Sequence, residues 1–295
     1  MNSSLEAAVA GFLAGQAGEV SPSTRRWYAQ RLQAFAEWAG PVHPCAVSVP
    51  MLRAYRGYLV DAGLSPSTVH GHQRALRRFF GRLAEEGVIP RNVAADVPLV
   101  RIPAQPPKAL SDDDLTRLLD RLPLESPRDR AIILLLADTG CRVGGLCSLT
   151  LDSLDLPHRC ATVIEKGQRG RRVYFTEVTA EALALWLASR PAADADELFL
   201  SRSGTALTEN GVRLMLERVG ERAGVKGRCN AHSFRHAFAR SFLRNGGNLA
   251  ALGRILGHSP GSPVTARYYA VWDDRELQEY HGRYSPLAGR GHGDR

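Results

Sequence analysis

A cluster of prolines limits what this chain of 295 residues can fold into. The cluster comprises Pro98, Pro103, Pro106 and Pro107. Proline lacks an N–H donor and restricts the residue before it, so this segment can form neither a helix interior nor a central strand. We therefore predict two domains, at 1–100 and 109–295, joined by an extended linker at 101–108.

The tetrapeptide S-P-S-T occurs at 21–24 and again at 65–68, and it predicts two helix starts. In each copy the first serine can cap the helix, and the proline takes the first helical position, where its missing N–H costs nothing. We predict helices at 22–40 and 66–86, with a shorter one at 50–61. The first domain carries no strand signal and is predicted to be a small helical bundle.

The second domain shows mixed patterns. Ser111 and Asp114 are spaced as a capping box, which predicts another helix start. Two runs of β-forming residues, at 160–165 and 171–175, predict a hairpin with Lys166 in its turn, and 198–200 predicts a short strand. Further helices are predicted at 127–139, 179–189, 208–223 and 273–284. The fold class is therefore mainly α, with a small antiparallel sheet in the second domain.

The formal charge of +8 points to a polyanionic partner. Most of the 38 basic residues are arginines, which bind phosphate with two parallel hydrogen bonds. Arginines recur every four residues along the predicted helix at 66–86, and two more lie in the hairpin. The candidates for nucleic-acid contact are Arg74, Arg77, Arg78, Arg82, Arg169 and Arg171. The alternative to DNA contact for the arginines of this helix is that they form an ordinary solvent-exposed face.

Several protein classes are disfavoured by the sequence. The five cysteines are scattered without a C-x-x-C pair, so they predict neither a zinc site nor a disulfide framework. The longest apolar run, at 131–137, is far too short to span a bilayer. No Lys or Arg precedes Arg25, so the charged start of a signal peptide is missing. We expect a cytoplasmic protein in a reducing setting, with no membrane partner.

Groups suited to phosphate chemistry are concentrated between His232 and Tyr269. The segments read H-S-F-R-H at 232–236, L-G-H-S at 256–259 and A-R-Y-Y at 266–269. A guanidinium can bind phosphate oxygens, an imidazole can move a proton near neutral pH, and a phenol can attack phosphorus. We interpret this stretch as half of a phosphoryl-transfer site acting on DNA. The other half is assigned to Arg142 and Lys166, and two guanidiniums make a metal cofactor unnecessary.

Five motifs in one order carry a resemblance to a known family. They are T-G-C-R-V at 139–143, E-K-G-Q-R-G-R-R at 165–172, H-S-F-R-H at 232–236, L-G-H-S at 256–259 and R-Y at 267–268. Together they resemble the catalytic signature of the tyrosine recombinases, the phage-integrase and Xer family. The resemblance covers nearly the whole chain, and it implies a SAM-like core-binding domain followed by a catalytic domain.

The resemblance implies a role for each matched residue. Arg142 and Arg235 would clamp the scissile phosphate of double-stranded DNA. Lys166 would protonate the leaving 5′ oxygen, His232 would serve in acid/base work, and His258 would hydrogen-bond the phosphate.

The resemblance also implies that Tyr268 is the nucleophile. Its attack would leave a 3′-phosphotyrosyl link that stores the bond energy, so rejoining needs no ATP. Family members exchange strands as tetramers on two duplexes. The segment from His258 to Tyr268 is one residue longer than usual, so Tyr269 stays the alternative nucleophile.

Some features leave other interpretations open. Gly144 and Gly145 stand where the family usually has a small residue and an acid, so we expect Arg142 to lack that carboxylate neighbour. In isolation, Arg142 could instead pair with Asp138. The spacing of His232 and His236 also suits a zinc pair, although no third ligand accompanies them.

Two other functions fit the same scaffold. One is a DNA-binding protein that no longer cuts, which the missing acid favours. The other is a relaxase similar to type IB topoisomerases.

Overall fold

A computed structural model describes residues 4–103, 110–120, 126–165, 169–225, 229–259 and 274–284. The chain forms two compact units, Met1–Gln105 and Pro106–Arg295, and each is described by itself. This division falls inside the predicted linker, of which residues 104–108 lie outside the described part. The limits predicted for the two domains stay a prediction.

The first unit is a helical bundle, as predicted. Its helices are α1 (Leu5–Gly15), α2 (Pro22–Ala39), α3 (Val49–Asp61) and α4 (Pro66–Glu85), with 3-10 turns at Pro44–Ala46 and Val93–Asp96. Both S-P-S-T predictions are confirmed. The hydroxyls of Ser21 and Ser65 accept hydrogen bonds of 3.2 Å from the backbone N–H groups of Thr24 and Thr68.

Aromatic side chains make up much of the core of this unit. Phe35, Phe79 and Phe80 are fully buried, and Phe12 packs edge-to-face on Phe79 with ring centroids 5.5 Å apart. Two of these rings lie on α4, which contacts each of the other three helices of the bundle. The apolar face of α4 is therefore at the centre of the bundle.

The arginines of α4 fall into different environments. Arg74 and Arg78 are exposed, and Arg82 Nε donates to Glu86 Oε1 at 2.6 Å. The guanidinium of Arg77 instead donates to the backbone carbonyls of Ala94, Ala95 and Val97, at 3.2, 3.3 and 2.7 Å. Arg77 thus fastens the 3-10 turn to α4, a role that the regular spacing did not indicate. DNA contact by these arginines stays a prediction.

The second unit combines helices with one small sheet. The helices are α5 (Asp112–Asp120), α6 (Pro127–Thr139), α7 (Val143–Cys147), α8 (Glu177–Ser189), α9 (Glu209–Arg222), α10 (Ala231–Arg244), α11 (Leu249–Ile255) and α12 (Asp274–Tyr284). The capping box is confirmed, because Asp114 N–H donates to Ser111 Oγ at 3.0 Å and Ser111 N–H to Asp114 Oδ2 at 3.2 Å.

The sheet has the antiparallel order β1-β2-β3, with strands Leu154–Asp155, Cys160–Glu165 and Arg169–Tyr174. The predicted hairpin is confirmed in its first strand, but β3 begins at Arg169, two residues earlier than predicted. The pairing of Glu165 with Arg169 extends the ladder into residues that the sequence pattern assigned to the turn. The strand predicted at 198–200 was wrong, because within it only Leu200 forms an isolated bridge, with Ala206.

Helix α6 provides the centre of the second core. Its residues from Ala131 to Leu136 are all buried, and the helix packs against α8 and α10. A smaller apolar cluster joins α10 to α11 through Leu243, Leu252 and Leu256. The mainly helical fold class with a small antiparallel sheet is confirmed. Among the described residues, no helix combines the length and the apolar character needed to cross a membrane.

We predict that Arg77→Ala destabilises the first unit by about 2–3 kcal/mol, since two half-buried charged hydrogen bonds and one exposed charged hydrogen bond to backbone carbonyls are lost. The matched control is Arg78→Ala on the same helix, whose exposed side chain should change the stability by less than about 0.5 kcal/mol. Hydrogen exchange of the Val97 amide reports on the turn, and urea unfolding reports on the unit. Equal effects of the two substitutions would contradict the structural role.

Candidate active site

Arg235 connects three segments of the second unit. It lies in the second turn of α10, which Asn230 caps by accepting the backbone N–H of Ser233 at 3.0 Å. Only 2% of Arg235 is exposed. Its Nη1 donates to the carbonyl of Gly140 at 2.8 Å, and its Nη2 donates to the carbonyl of Leu256 at 2.6 Å. The guanidinium therefore holds the end of α6 and the turn after α11 against α10.

Gly140 is required by both backbone angle and space. It ends α6 in the left-handed region, with φ of 58°. A Cβ at this position would lie 2.7 Å from a ring carbon of Phe238 and 3.0 Å from Leu256. Glycine alone combines this angle with such close packing. It brings the carbonyl of residue 140 to Arg235 and turns the chain directly toward Arg142.

His258 follows the same turn and contacts the same guanidinium. Arg235 Nη2 lies 3.0 Å from His258 Nε2. Because a guanidinium can only donate, Nε2 is the acceptor and the ring is neutral with its proton on Nδ1. Burial, followed by the charges of Arg235 and Arg142, lowers the pKa of His258 to about 4. The ring is thus a neutral hydrogen-bonding group at pH 7.

Two further imidazoles lie beside Arg235 on α10. The rings of His232 and His236 are in edge-to-face contact, with centroids 4.3 Å apart. Burial and the charges of Arg235 and Arg142 lower the pKa of His232. Burial, His232 and Arg235 lower the pKa of His236 to about 4. In the described part of the chain, no cluster of three His, Cys, Asp or Glu side chains could hold a metal ion.

Arg142 lies at the start of α7, and 44% of its side chain is exposed. It forms an ion pair with Glu165 at the end of β2, so the expectation that it lacks a carboxylate neighbour was wrong. The alternative pairing with Asp138 was also wrong. Asp138 Oδ2 instead accepts hydrogen bonds from the side chains of Thr176 and Thr179, both at 2.8 Å.

Arg171 lies inside the site, with only 15% of its side chain exposed. Its Nη2 donates to Glu165 Oε1 at 2.8 Å, and its Nη1 donates to the carbonyl of Ile255. Burial would raise the pKa of Glu165, but Arg171 and Arg142 outweigh it and hold that pKa below its usual value. Glu165 is therefore an ionised link between two arginines, and the predicted DNA contact of Arg171 stays a prediction.

The structure brings together four of the six predicted catalytic residues: Arg142, His232, Arg235 and His258. Lys166 and Tyr268 lie outside the described residues, as do Tyr269 and the side chain of Arg169. The sequence analysis missed Glu165 as a member of this cluster. The sequence feature that could have indicated Glu165 is its position immediately before Lys166 in the E-K-G motif.

Comparisons with known proteins match family models in both units of the chain. Residues 108–275 match the phage integrase family, and residues 14–87 match the phage integrase N-terminal SAM-like domain. Tyrosine recombinase XerC of Thermodesulfovibrio yellowstonii is 32% identical over 91% of this chain and 92% of its own length.

The chain belongs to the phage integrase family.

As a family member, this chain is a tyrosine-type site-specific recombinase. Its relatives include tyrosine recombinase XerC of Alcanivorax borkumensis, which is 31% identical over 92% of this chain and 90% of its own length. Among solved structures, the XerA recombinase is 26% identical with a TM-score of 0.56, covering 96% of this chain and 98% of that one.

The recombinase fold is also shared with a more distant structure. The Tn1549 transposon integrase in complex with a circular intermediate DNA has a TM-score of 0.79 at 20% identity. The match covers 96% of this chain and 100% of that chain. At this identity the likeness shows the fold alone.

We predict that the histidines of this recombinase make it less stable in acid. The pKa values of His236 and His258 are about 4 in the folded protein, against about 6.5 for an unfolded histidine. Between these values the unfolded state binds more protons, so the free energy of unfolding should fall as the pH drops from 6.5 toward 4. NMR titration of the imidazoles and urea unfolding at each pH check this.

Arg142→Gln should raise the pKa of His258, because one of the charges that lower it is removed. The control is Arg213→Gln, on an arginine of α9 that pairs with Glu217. An unchanged pKa of His258 in Arg142→Gln would contradict the electrostatic cause.

Proposed function

We propose that this recombinase cuts and rejoins DNA strands through a covalent 3′-phosphotyrosyl intermediate. The observation that carries the proposal is the gathering of Arg142, His232 and His258 around Arg235, from three separate segments of the second unit. Guanidiniums and neutral imidazoles in one cluster suit a phosphodiester, whose transition state gathers negative charge on the non-bridging oxygens.

In this proposal the two arginines share the work on the phosphate. Arg142 is the exposed one and can turn its fork toward an incoming phosphate, while Glu165 limits its movement. Arg235 is buried and rigid, so it fixes the positions of His258 and the chain around it. Positive charge is thus in place before the reaction begins, which lowers the reorganisation needed in the transition state.

Tyr268 is proposed to supply the nucleophilic oxygen. The phenol oxygen forms a bond to phosphorus, the bond from phosphorus to the 5′ oxygen breaks, and Lys166 gives the departing oxygen a proton. His232, neutral because its pKa is lowered, can accept the proton of the phenol. Reversal with a 5′ hydroxyl from another strand rejoins the DNA, so neither a metal nor a nucleotide cofactor is included in this scheme.

Double-stranded DNA with specific sites is the proposed substrate, and the exposed Arg74 and Arg78 of α4 are proposed to contact its backbone. We further propose that strand exchange takes place in a tetramer, and that the protein acts in the cytoplasm. Sedimentation of the protein with a two-site DNA substrate tests the tetramer.

The proposed cutting activity is supported over a non-cleaving protein on the same scaffold. That alternative rested on the acid missing from position 145, and Glu165 supplies a carboxylate to Arg142 from elsewhere.

We predict that the full-length protein forms a covalent adduct with a nicked suicide substrate, in which the cut 5′ end diffuses away. Tyr268→Phe should abolish the adduct, because the attacking oxygen is removed, whereas Tyr269→Phe should retain it. Denaturing electrophoresis of labelled DNA measures the adduct. If Tyr268→Phe still forms the adduct and Tyr269→Phe does not, Tyr269 is the nucleophile. No adduct from the unaltered protein would refute the cutting activity.

We predict that Lys166→Ala slows cleavage by about 10²- to 10⁴-fold, which is the usual contribution of a general acid. A substrate with a 5′-bridging sulfur has a leaving group that needs no proton. It should therefore be cut by Lys166→Ala at nearly the rate of the unaltered protein. Lys226→Ala, at a lysine to which no catalytic role is assigned, is the control for loss of a lysine. Equal slowing with the oxygen and sulfur substrates would remove Lys166 from the acid role.

A further inference from the structure

We propose that Glu165 is a positioning residue of this active site, which takes the place of the acid that the family usually carries at position 145. From β2 it orients Arg142 and, through Arg171, fixes the turn that bears His258. The inference rests on the proposed cutting activity, because the residues that it positions are those assigned to the phosphate.

The first support is that Glu165 occupies the space that a side chain at 145 would need. A Cβ at Gly145 would lie 3.3 Å from both Glu165 Cγ and Val163 Cβ, and 3.4 Å from Glu165 Oε1. These distances are tighter than most packing contacts, so a side chain at 145 would require Glu165 or Val163 to shift by a few tenths of an ångström.

The second support is that Glu165 makes the hydrogen bond expected of an acid at 145. Arg142 is the N-cap of α7, which makes residue 145 the third helical position. In a capping box, an acid at that position accepts the backbone N–H of the N-cap residue. Here Glu165 Oε1 accepts the N–H of Arg142 at 3.4 Å, while Oε2 forms the ion pair with its guanidinium.

The third support is a connection that a residue on α7 would not provide. Arg171, one strand away, donates both to Glu165 and to the carbonyl of Ile255, three residues before His258. Gly257 makes room for this contact. A Cβ there would lie 2.8 Å from Arg171 Nε and 3.4 Å from Glu165 Oε2, and its φ of 68° suits glycine. Two glycines, 145 and 257, thus flank the carboxylate.

The consequence for the reaction follows from the exposure of Arg142. A half-exposed arginine samples many rotamers, and holding it in one geometry costs entropy at each turnover unless a neighbour fixes it beforehand. Only 9% of Glu165 is exposed, and the pair with Arg171 anchors it. It can therefore hold one edge of the Arg142 guanidinium while the rest faces the incoming phosphate.

The first test measures single-turnover adduct formation by the full-length protein. Glu165→Gln keeps the shape of the side chain and removes its charge, and we expect cleavage to slow by roughly 10- to 100-fold, as for loss of a charged hydrogen bond. The matched control is Asp129→Asn. Asp129 is also a buried carboxylate bound by two arginines, Arg128 and Arg218, but it lies at the other end of α6, about 16 Å from Gly140 by helix rise.

Asp129→Asn should lower stability and leave the rate of the folded enzyme unchanged. The positioning role would be overturned if Glu165→Gln cut at the unaltered rate, or if its cutting slowed no more than the loss of folded protein explains.

The second test moves the acid back to its usual position. Glu165→Gly alone should cut slowly, and the double variant Gly145→Glu with Glu165→Gly should recover the part of the rate that depends on orienting Arg142. Gly145→Glu alone places two carboxylates in one space and should be both less stable and slower. A double variant that is no faster than Glu165→Gly would refute the idea that an acid at either position orients Arg142.

The third test does not depend on cleavage. In NMR spectra the guanidinium N–H signals of Arg142 should be sharp in the unaltered protein, because the ion pair slows their rotation, and should broaden or merge in Glu165→Gln. Unchanged Arg142 signals would overturn the positioning role even if cleavage were affected. A protein that forms no adduct but shows the expected NMR change would instead refute the cutting activity alone.

Discussion

The buried guanidinium of Arg235 is the interaction on which the rest of the second unit depends. Removing an arginine from water costs several kcal/mol unless its donors find good acceptors. Three groups provide such acceptors: the carbonyls of Gly140 and Leu256 and the ring of His258. Gly140 and His258 are more than 100 residues apart in the sequence. Folding of the second unit and formation of the site are therefore coupled. The buried guanidinium of Arg235 gains these three acceptors when the end of α6 and the turn after α11 are both in place.

The same charge contributes to the protonation of its neighbours. Burial, followed by the charges of Arg235 and Arg142, lowers the pKa values of His232 and His258 and keeps both imidazoles neutral. A bound phosphate would oppose those positive charges and raise the pKa values again, which would make His232 a stronger base toward the phenol. Glu165 acts in the same direction on His258 before any DNA is present. The guanidiniums of Arg142, Arg171 and Arg235 outnumber the carboxylate of Glu165, so the site carries a net positive charge that attracts phosphate.

Much of the fold could be predicted from the sequence because its signals are local. Ser65 and Pro66 specify a helix start within four residues, and the structure has that start. The hydrogen bonds of Arg77 and Arg171 to other segments of the chain could not be predicted. An arginine in the sequence gives no sign of whether its guanidinium faces solvent or a carbonyl of another segment. The start of β3 was missed for a related reason. Its first residues have little β propensity and are held by pairing with β2.

The carboxylate beside Arg142 shows why a missing motif residue is weak support for lost activity. The resemblance assigns an acid to one sequence position, but the chemistry needs only a negative charge at one place in space. Gly145 removes the side chain, and Glu165 enters the same volume from the neighbouring strand and accepts the same backbone N–H. Gly145 is visible in the sequence as a departure from the family pattern, but nothing in the sequence connects Glu165 with it. Only their distance, 3.3 Å from a Cβ at 145 to Glu165 Cγ, makes them a single exchange that preserves the charge next to the arginine.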